Sequence, residues 1–360
     1  MTGESFISAP YHGNERGIWH HYDEHYQNII SYKEERNKID LSAYIYKMKK
    51  INPEFELALS ITKAASKQTY YTIRLLADRD RVADAYRAYG YFRWVDDALD
   101  TESGSGVERS AFIHRQESIL DDCYRGESPR DVNIQEKMLV ELIQNDPTEN
   151  SGLQYYLRNM MAVMAFDTER RGRLISQNEL NEYTCLLASA VTEAMHYFVG
   201  HCCYSPHDEA RYLAVTAAHI THMLRDTFDD IQAGYYNIPR ETLDANHITP
   251  QDVGSDAYRA WVKGRVKLAR KYFKAGREYL RQVENPRCRL AGFAYTARFE
   301  WLLDTIEREG YNLRPQYNER KSFATGLQMS LDTLSSIINW SGAGLSPHNI
   351  STREHLLRES

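Results

Sequence analysis

Asp96 and Asp100 lie four residues apart, with Asp97 beside them, in the stretch Tyr89-Gly-Tyr-Phe-Arg-Trp-Val-Asp-Asp-Ala-Leu-Asp100. On a helix, side chains at i and i+4 stack on one face, so these two carboxylates project together. Arg93 and Tyr89 extend the same face backwards. Like charges at this spacing cost a helix roughly 0.2–0.5 kcal/mol, and a divalent cation with oxygen ligands is the natural group to offset them. About 130 residues later, His219-Ile-Thr-His-Met-Leu-Arg-Asp-Thr-Phe-Asp-Asp230 repeats the arrangement. Asp226 and Asp230 stand at i,i+4, Asp229 is adjacent, and His222 is one turn earlier. Two such faces across a cavity would hold several Mg²⁺ ions. Mg²⁺ keeps several waters and takes one or two carboxylates plus substrate phosphates. The partner implied is a diphosphate.

The elements that must position these motifs read as helices. Three-to-four spacing starts at Pro53, with Leu57, Ile61 and Ala64/Ala65, and continues through Tyr70, Ile73 and Leu76/Ala77. Val82, Ala85, Tyr86 and Tyr89 lead into the first acidic motif, and the polar loop Thr101–Gly106 ends it. Helices are expected over Arg109–Tyr124 and Gln135–Gln144, then a break at Asn145–Gly152. Further helices are expected over Leu153–Asp167, Gln177–Phe198 and His207–Ile231. Gly234 and Pro239 stop the last of these. Asp256–Val283, Arg287–Glu309 and Phe323–Trp340 complete the set, the last read as packed on the body. With no alternating strand pattern, the expectation is an all-α chain. It would comprise a polar N-terminal arm over 1–45, one helical catalytic domain over 46–315, and a C-terminal helix and tail over 316–360. His20, His21 and His25 fall in the arm and read as solvated residues.

Composition narrows the function. A 360-residue chain with 42% hydrophobic residues can bury a sizeable core, while 26% charged residues and a mean hydropathy of −0.61 suit contact with water. A formal charge of −6 gives no electrostatic reason to bind nucleic acid or an anionic membrane. The 5 cysteines lack CxxC spacing, so neither a zinc site nor a disulfide framework is expected, and a reducing cytoplasm fits. Neither a signal peptide nor a run of about 20 apolar residues is expected to direct the chain into a membrane. A lipid product would then leave through peripheral contact. Oligomeric state is not legible.

With both motifs in view, the chain resembles the squalene/phytoene synthase family, in which two allylic prenyl diphosphates are joined head to head. The first motif matches the family's first aspartate-rich helix. Leu-Arg-Asp-Thr-Phe-Asp-Asp followed by Tyr-Asn-Ile-Pro-Arg-Glu241 matches the second with its proline-glutamate segment. Weaker likeness lies in Ser66-Lys67 with Arg74-Leu-Leu, in Phe166-Asp167 with Asn178-Glu-Leu-Asn-Glu-Tyr183, and in Glu300-Trp-Leu-Leu-Asp-Thr-Ile-Glu307. Together these span about 60–315.

The resemblance implies an isoprenoid-synthase helical bundle with a central cavity and a prenyl diphosphate substrate. It implies that Asp96, Asp100, Asp226 and Asp230 are catalytic metal ligands for Mg²⁺, with Mn²⁺ as an alternative. Asp97 and Asp229 are weighed as further ligands. Tyr89, Arg93, Arg225, Ser66, His219 and His222 are the implied diphosphate-binding residues. NADPH is left open, because the squalene branch of the family uses it, the phytoene branch does not, and no glycine-rich dinucleotide motif is present. The chain departs from the family at several places. His219 and His222 stand where it carries glutamine and asparagine. Ile231-Gln-Ala-Gly-Tyr235 replaces its basic residues after the second motif, Ser189 and Thr192 replace glycines of its middle helix, and Gln68-Thr69 follows Ser66-Lys67 in place of an aromatic.

The reaction implied breaks a C–O bond, expelling diphosphate and leaving an allylic cation. Arginines clamp the leaving group, and a closed cavity protects the cation from water. The 26 tyrosines are compatible with cation–π stabilisation, although Tyr183, Tyr235 and Tyr236 read as structural. Two other readings stay open. One is a same-fold enzyme that transfers a single prenyl group to a non-isoprenoid acceptor or cyclises it. The other is a non-catalytic relative, which loss of the aspartates would signal.

Overall fold

The structure is a computed structural model that describes residues 52–100, 106–146, 148–201 and 203–317. The arm over 1–45, most of the loop after Asp100, and the expected Phe323–Trp340 helix lie outside the described residues. Pro53 opens the compact unit that contains every helix below.

Eleven helices, and no strands, occur among the described residues. They are α1 (Pro53–Ala65), α2 (Lys67–Leu76), α3 (Val82–Asp100), α4 (Gly106–Tyr124), α5 (Ile134–Gln144) and α6 (Gly152–Arg170). α7 (Gln177–Phe198), α8 (Ala210–Ala233), α9 (Arg240–Asn246), α10 (Asp256–Leu280) and α11 (Pro286–Arg308) follow. The starts are chemically marked. The side chains of Asn133 and Ser176 accept from the third backbone N–H of α5 and α7, while Glu136 and Glu179 reach back to the cap N–H groups. Each such capping box satisfies two N–H groups that a helix start otherwise leaves bare.

Two differences from the expected pattern have local causes. The run from Pro53 is two helices because Ser66 breaks it: its backbone is extended, and its Oγ accepts from Thr69 N at 3.1 Å to cap α2. Pro239 both follows α8 and opens the short helix α9, since its fixed φ of −62° suits a helix entrance.

The packing explains which faces are apolar. Val262, Val266, Ala269 and Phe273 of α10 recur at helical spacing and are fully buried against Ala217, Ile220 and Leu224 of α8 and Leu302, Leu303 and Ile306 of α11. Truncating a buried Phe such as Phe273 to Ala would cost roughly 3–5 kcal/mol. Gly276 allows the α8–α10 approach, because a Cβ there would sit 2.8 Å or less from Ala214 backbone atoms. On the other side, α3 packs on α1 and α5, and α6 on α7 and α4. The buried Arg87 pairs with Glu54 at 3.2 Å and Asp84 at 2.8 Å, locking α3 to α1. These contacts hold two acidic helices in the wall of one cavity.

Candidate active site

That cavity, about 280 Å³, is walled by α3, α4, α6, α7 and α8 and by the turn after α8. Asp96 and Asp100 enter from α3, and Asp226 and Asp230 from α8. The four aspartates expected as metal ligands are thus brought together. His219 and His222 join them on the wall. Leu99, Met164 and Met223 supply apolar surface.

The other expected residues stand elsewhere. Arg93 donates to Asp96 Oδ2 at 3.1 Å and also pairs with Asp97. Asp97 is 54% exposed, Asp229 is exposed, and neither is among the lining residues. Arg225 grips Asp226 with Nε to Oδ1 and Nη2 to Oδ2, both at 2.6 Å. Tyr89 is half-buried beside the motif, and Ser66 serves as the α2 cap; neither lines the cavity.

A hydrogen-bonded chain that the sequence did not suggest completes the wall. Tyr183 Oη donates to Asp167 Oδ2 at 2.9 Å, and Arg170 Nε donates to Asp167 Oδ1 at 2.6 Å. Arg170 Nη1 donates to Asn237 Oδ1 at 2.7 Å, and Asn237 Nδ2 donates to Asp230 Oδ2 at 2.7 Å. The amide of Asn237 therefore passes orientation from α6 to the second acidic helix. Tyr183 and Tyr235, expected as structural residues, both line the cavity; Tyr236 does not. Asp167 followed by Arg170 at i,i+3 was the available signal, but that spacing is common on solvated helix faces. Gly234, left-handed at φ 88°, ends α8 and turns the chain so that Tyr235 and Asn237 fold back over Asp230.

The electrostatics are those of an under-neutralised site. Burial, followed by the neighbouring Asp100, pushes the Asp96 carboxyl up to about 6. Burial and then Asp226 push Asp230 up to about 7. Asp167 is likewise raised, first by burial. His219 is held down at about 3, by burial and then by His222, so its ring is neutral. Both of its nitrogens are buried without a partner among the described residues. Facing carboxylates that resist ionisation are the donor set a divalent cation relieves. No three His, Cys, Asp or Glu side chains among the described residues gather closely enough to cage a metal alone. The residues fit Mg²⁺ whose shell is completed by water and phosphate.

An all-α bundle with two aspartate-bearing helices facing one cavity defines the class: the isoprenoid-synthase fold. The squalene/phytoene synthase family model matches residues 62–324, and the chain belongs to that family of enzymes. A 15-cis-phytoene synthase from Synechocystis sp. is 24% identical over 279 residues, covering 73% of this chain and 79% of that protein. A chloroplastic phytoene synthase from Daucus carota is 24% identical, covering 68% of this chain but only 61% of its own length. A presqualene diphosphate synthase from Zymomonas mobilis is 27% identical over 219 residues, or 57% of this chain and 69% of that one. Among solved structures, a dehydrosqualene synthase in complex with ligand superposes with TM-score 0.62 at 18% identity, over 83% of this chain and all of that one. A squalene synthase from Alicyclobacillus acidocaldarius gives 0.58 at 21%, over 73% and 96%. No described helix is long and apolar enough to cross a membrane.

Proposed function

We propose that this protein is a Mg²⁺-dependent prenyltransferase that ionises allylic prenyl diphosphates in this cavity and joins two of them head to head. The observation that carries the reading is the convergence of Asp96, Asp100, Asp226 and Asp230, from helices 130 residues apart, on one cavity. The catalytic unit falls within 46–315.

Asp96 with Asp100 and Asp226 with Asp230 would hold the metal from two sides. Bound Mg²⁺ neutralises the charge that grows on the leaving diphosphate. Arg93 and Arg225 keep Asp96 and Asp226 oriented, each from the motif it serves. Tyr183 and Tyr235 present rings to the cavity that contains the allylic cation. Met164, Met223 and Leu99 exclude water from it. The acceptor double bond attacks the cation, and the excess proton leaves with diphosphate.

The test is incubation with Mg²⁺ or Mn²⁺ and C10, C15 or C20 prenyl diphosphates, with and without NADPH, and identification of products by mass. A hydrocarbon or cyclopropyl diphosphate of doubled carbon number, absent in Asp96→Ala and Asp226→Ala, supports the proposal. Single-length alcohols or cyclic products would refute it in favour of a second reading, use of one prenyl diphosphate by the same ionisation. The cavity volume favours weighing that reading, since 280 Å³ lies just below the range of about 300–1,000 Å³ common for ligand pockets. Absence of aspartate-dependent turnover with any chain length would sink both.

A further inference from the structure

We infer that Arg170 is a cavity-wall cation that hydrogen-bonds the substrate diphosphate. This deepens the prenyl-diphosphate reading and rests on it.

The cavity is lined by five carboxylates (Asp96, Asp100, Asp167, Asp226 and Asp230) and two arginines, Arg109 and Arg170. Arg93 and Arg225 do not line it and are committed to their own aspartates. Arg170 is 5% exposed, and a buried guanidinium is costly unless its N–H groups are used. Nε is used by Asp167 and Nη1 by Asn237, while Nη2 makes no hydrogen bond among the described residues. The guanidinium lies 4.6 Å from the Tyr183 ring centroid and 5.0 Å from that of Tyr235. Two hydrogen bonds and the rings of Phe166, Tyr183 and Tyr235 hold it in the cavity wall. Its free donor is left to meet what enters the cavity.

Its location supports the same role. Through Asn237 it is tied to Asp230 of the second acidic helix. Through Asp167 it lies beside the first, since Asp167 acts electrostatically on Asp96 and is acted on by Asp100. Residues 231–235, which follow the second motif, contain no basic side chain. The end of α6 is delivered to this place by Gly172 N donating to Gly234 O at 2.8 Å and Arg171 Nε to Ala233 O at 3.2 Å. A cation supplied by α6 thus stands beside the second motif, where residues 231–235 supply none.

The competing explanation is that Arg170 only neutralises Asp167 and Asp230. Arg170→Gln alone does not separate the two, because it also strands a buried Asp167. The paired variant Asp167→Asn/Arg170→Gln removes both charges. Affinity for inorganic diphosphate in saturating Mg²⁺, KM and kcat for the active prenyl diphosphate, and Tm would be measured for both variants, for Arg170→Lys and for Asp226→Ala.

Losing a hydrogen bond to a charged group weakens binding about 10- to 100-fold. The paired variant is expected to recover the Tm lost in Arg170→Gln while diphosphate affinity stays down and KM stays up by that factor. Arg170→Lys should regain only part, since an ammonium cannot keep the Asp167 and Asn237 bonds and also present a free donor. Wild-type diphosphate affinity in a folded paired variant would overturn the inference and leave the prenyl-diphosphate reading intact. Lack of any Asp226-dependent diphosphate binding or turnover in the wild type would overturn both.

Discussion

Two buried polar networks meet along α7 and α8, and they are built to opposite specifications. In the first, Arg211 Nε and Nη2 donate to Glu193 Oε1 and Oε2 at 2.8 and 2.9 Å, while Nη1 donates to Ser205 Oγ at 2.9 Å and Tyr279 Oη at 3.1 Å. Tyr212 Oη adds a bond to Glu193 at 2.9 Å, and His196 Nε2 meets Tyr279 Oη at 3.0 Å. Burial raises the Glu193 carboxyl, but Arg211, with Tyr212 and His207, more than offsets it and holds it below the ordinary range. In the second network, at the cavity, burial and like-charged neighbours win, and Asp96 and Asp230 sit well above the carboxylate range. The first network balances its charges with its own atoms and joins helices. The second leaves charge over, as the proposed binding of cations and a diphosphate would require.

Removing a carboxylate from each network should therefore have opposite consequences. Asp96→Ala or Asp226→Ala is expected to cut diphosphate release by about 10²–10³-fold or more without lowering Tm, because like-charge repulsion is relieved. A large loss of Tm with either variant would show that the cavity aspartates are structural after all. Glu193→Gln leaves Arg211 buried and unpaired, at roughly 3–5 kcal/mol, so Tm should drop by about 10 °C. Below that Tm, affinity for Mg²⁺-diphosphate should stay near wild type; a selective loss of affinity would merge the two networks into one site.

Proton linkage sharpens the contrast. A carboxyl raised from 3.8 to about 7 on folding, as Asp230 is, binds more protons in the native state. The stabilisation from that proton is present below the unfolded value and is lost as pH rises from about 4 through about 7. The Tm difference between Asp230→Asn and wild type, measured without metal, should grow over this window in favour of the variant. Mg²⁺ with diphosphate should shrink it at pH 7.5. A difference that stays flat with pH would remove the case for an under-neutralised site.

The smallest expected effect concerns His219. Its nitrogens have no partner among the described residues, so His219→Phe should raise stability by about 1 kcal/mol, seen as a slightly higher Tm, while impairing turnover. A lower Tm would mean that the imidazole is satisfied in the resting protein and belongs with the structural network.

Much of the fold was legible from local signals. The stop at Gly234 and the spacing of Val82, Ala85, Tyr86 and Tyr89 on α3 act within a few residues. The break at Ser66 was missed because apolar spacing runs through it while one hydroxyl redirects the backbone. At the site, the aspartates could be read because i,i+4 geometry needs only one helix. Asp167, Arg170, Tyr183 and Asn237 could not, because their roles come from bonds across 16 to 67 residues of chain.

By itself, then, the sequence determined an all-helical chain, two acidic faces and the family to which they belong, since each is written in a single helix or motif. Only the tertiary structure decided that the faces share a cavity, that Arg93 and Arg225 serve their own aspartates from outside its lining, and that Arg170 stands between the two helices. Helical periodicity fixes where a side chain points relative to its own axis. What it meets there depends on how helices distant in sequence pack, as where Gly276 lets α10 close on Ala214 of α8.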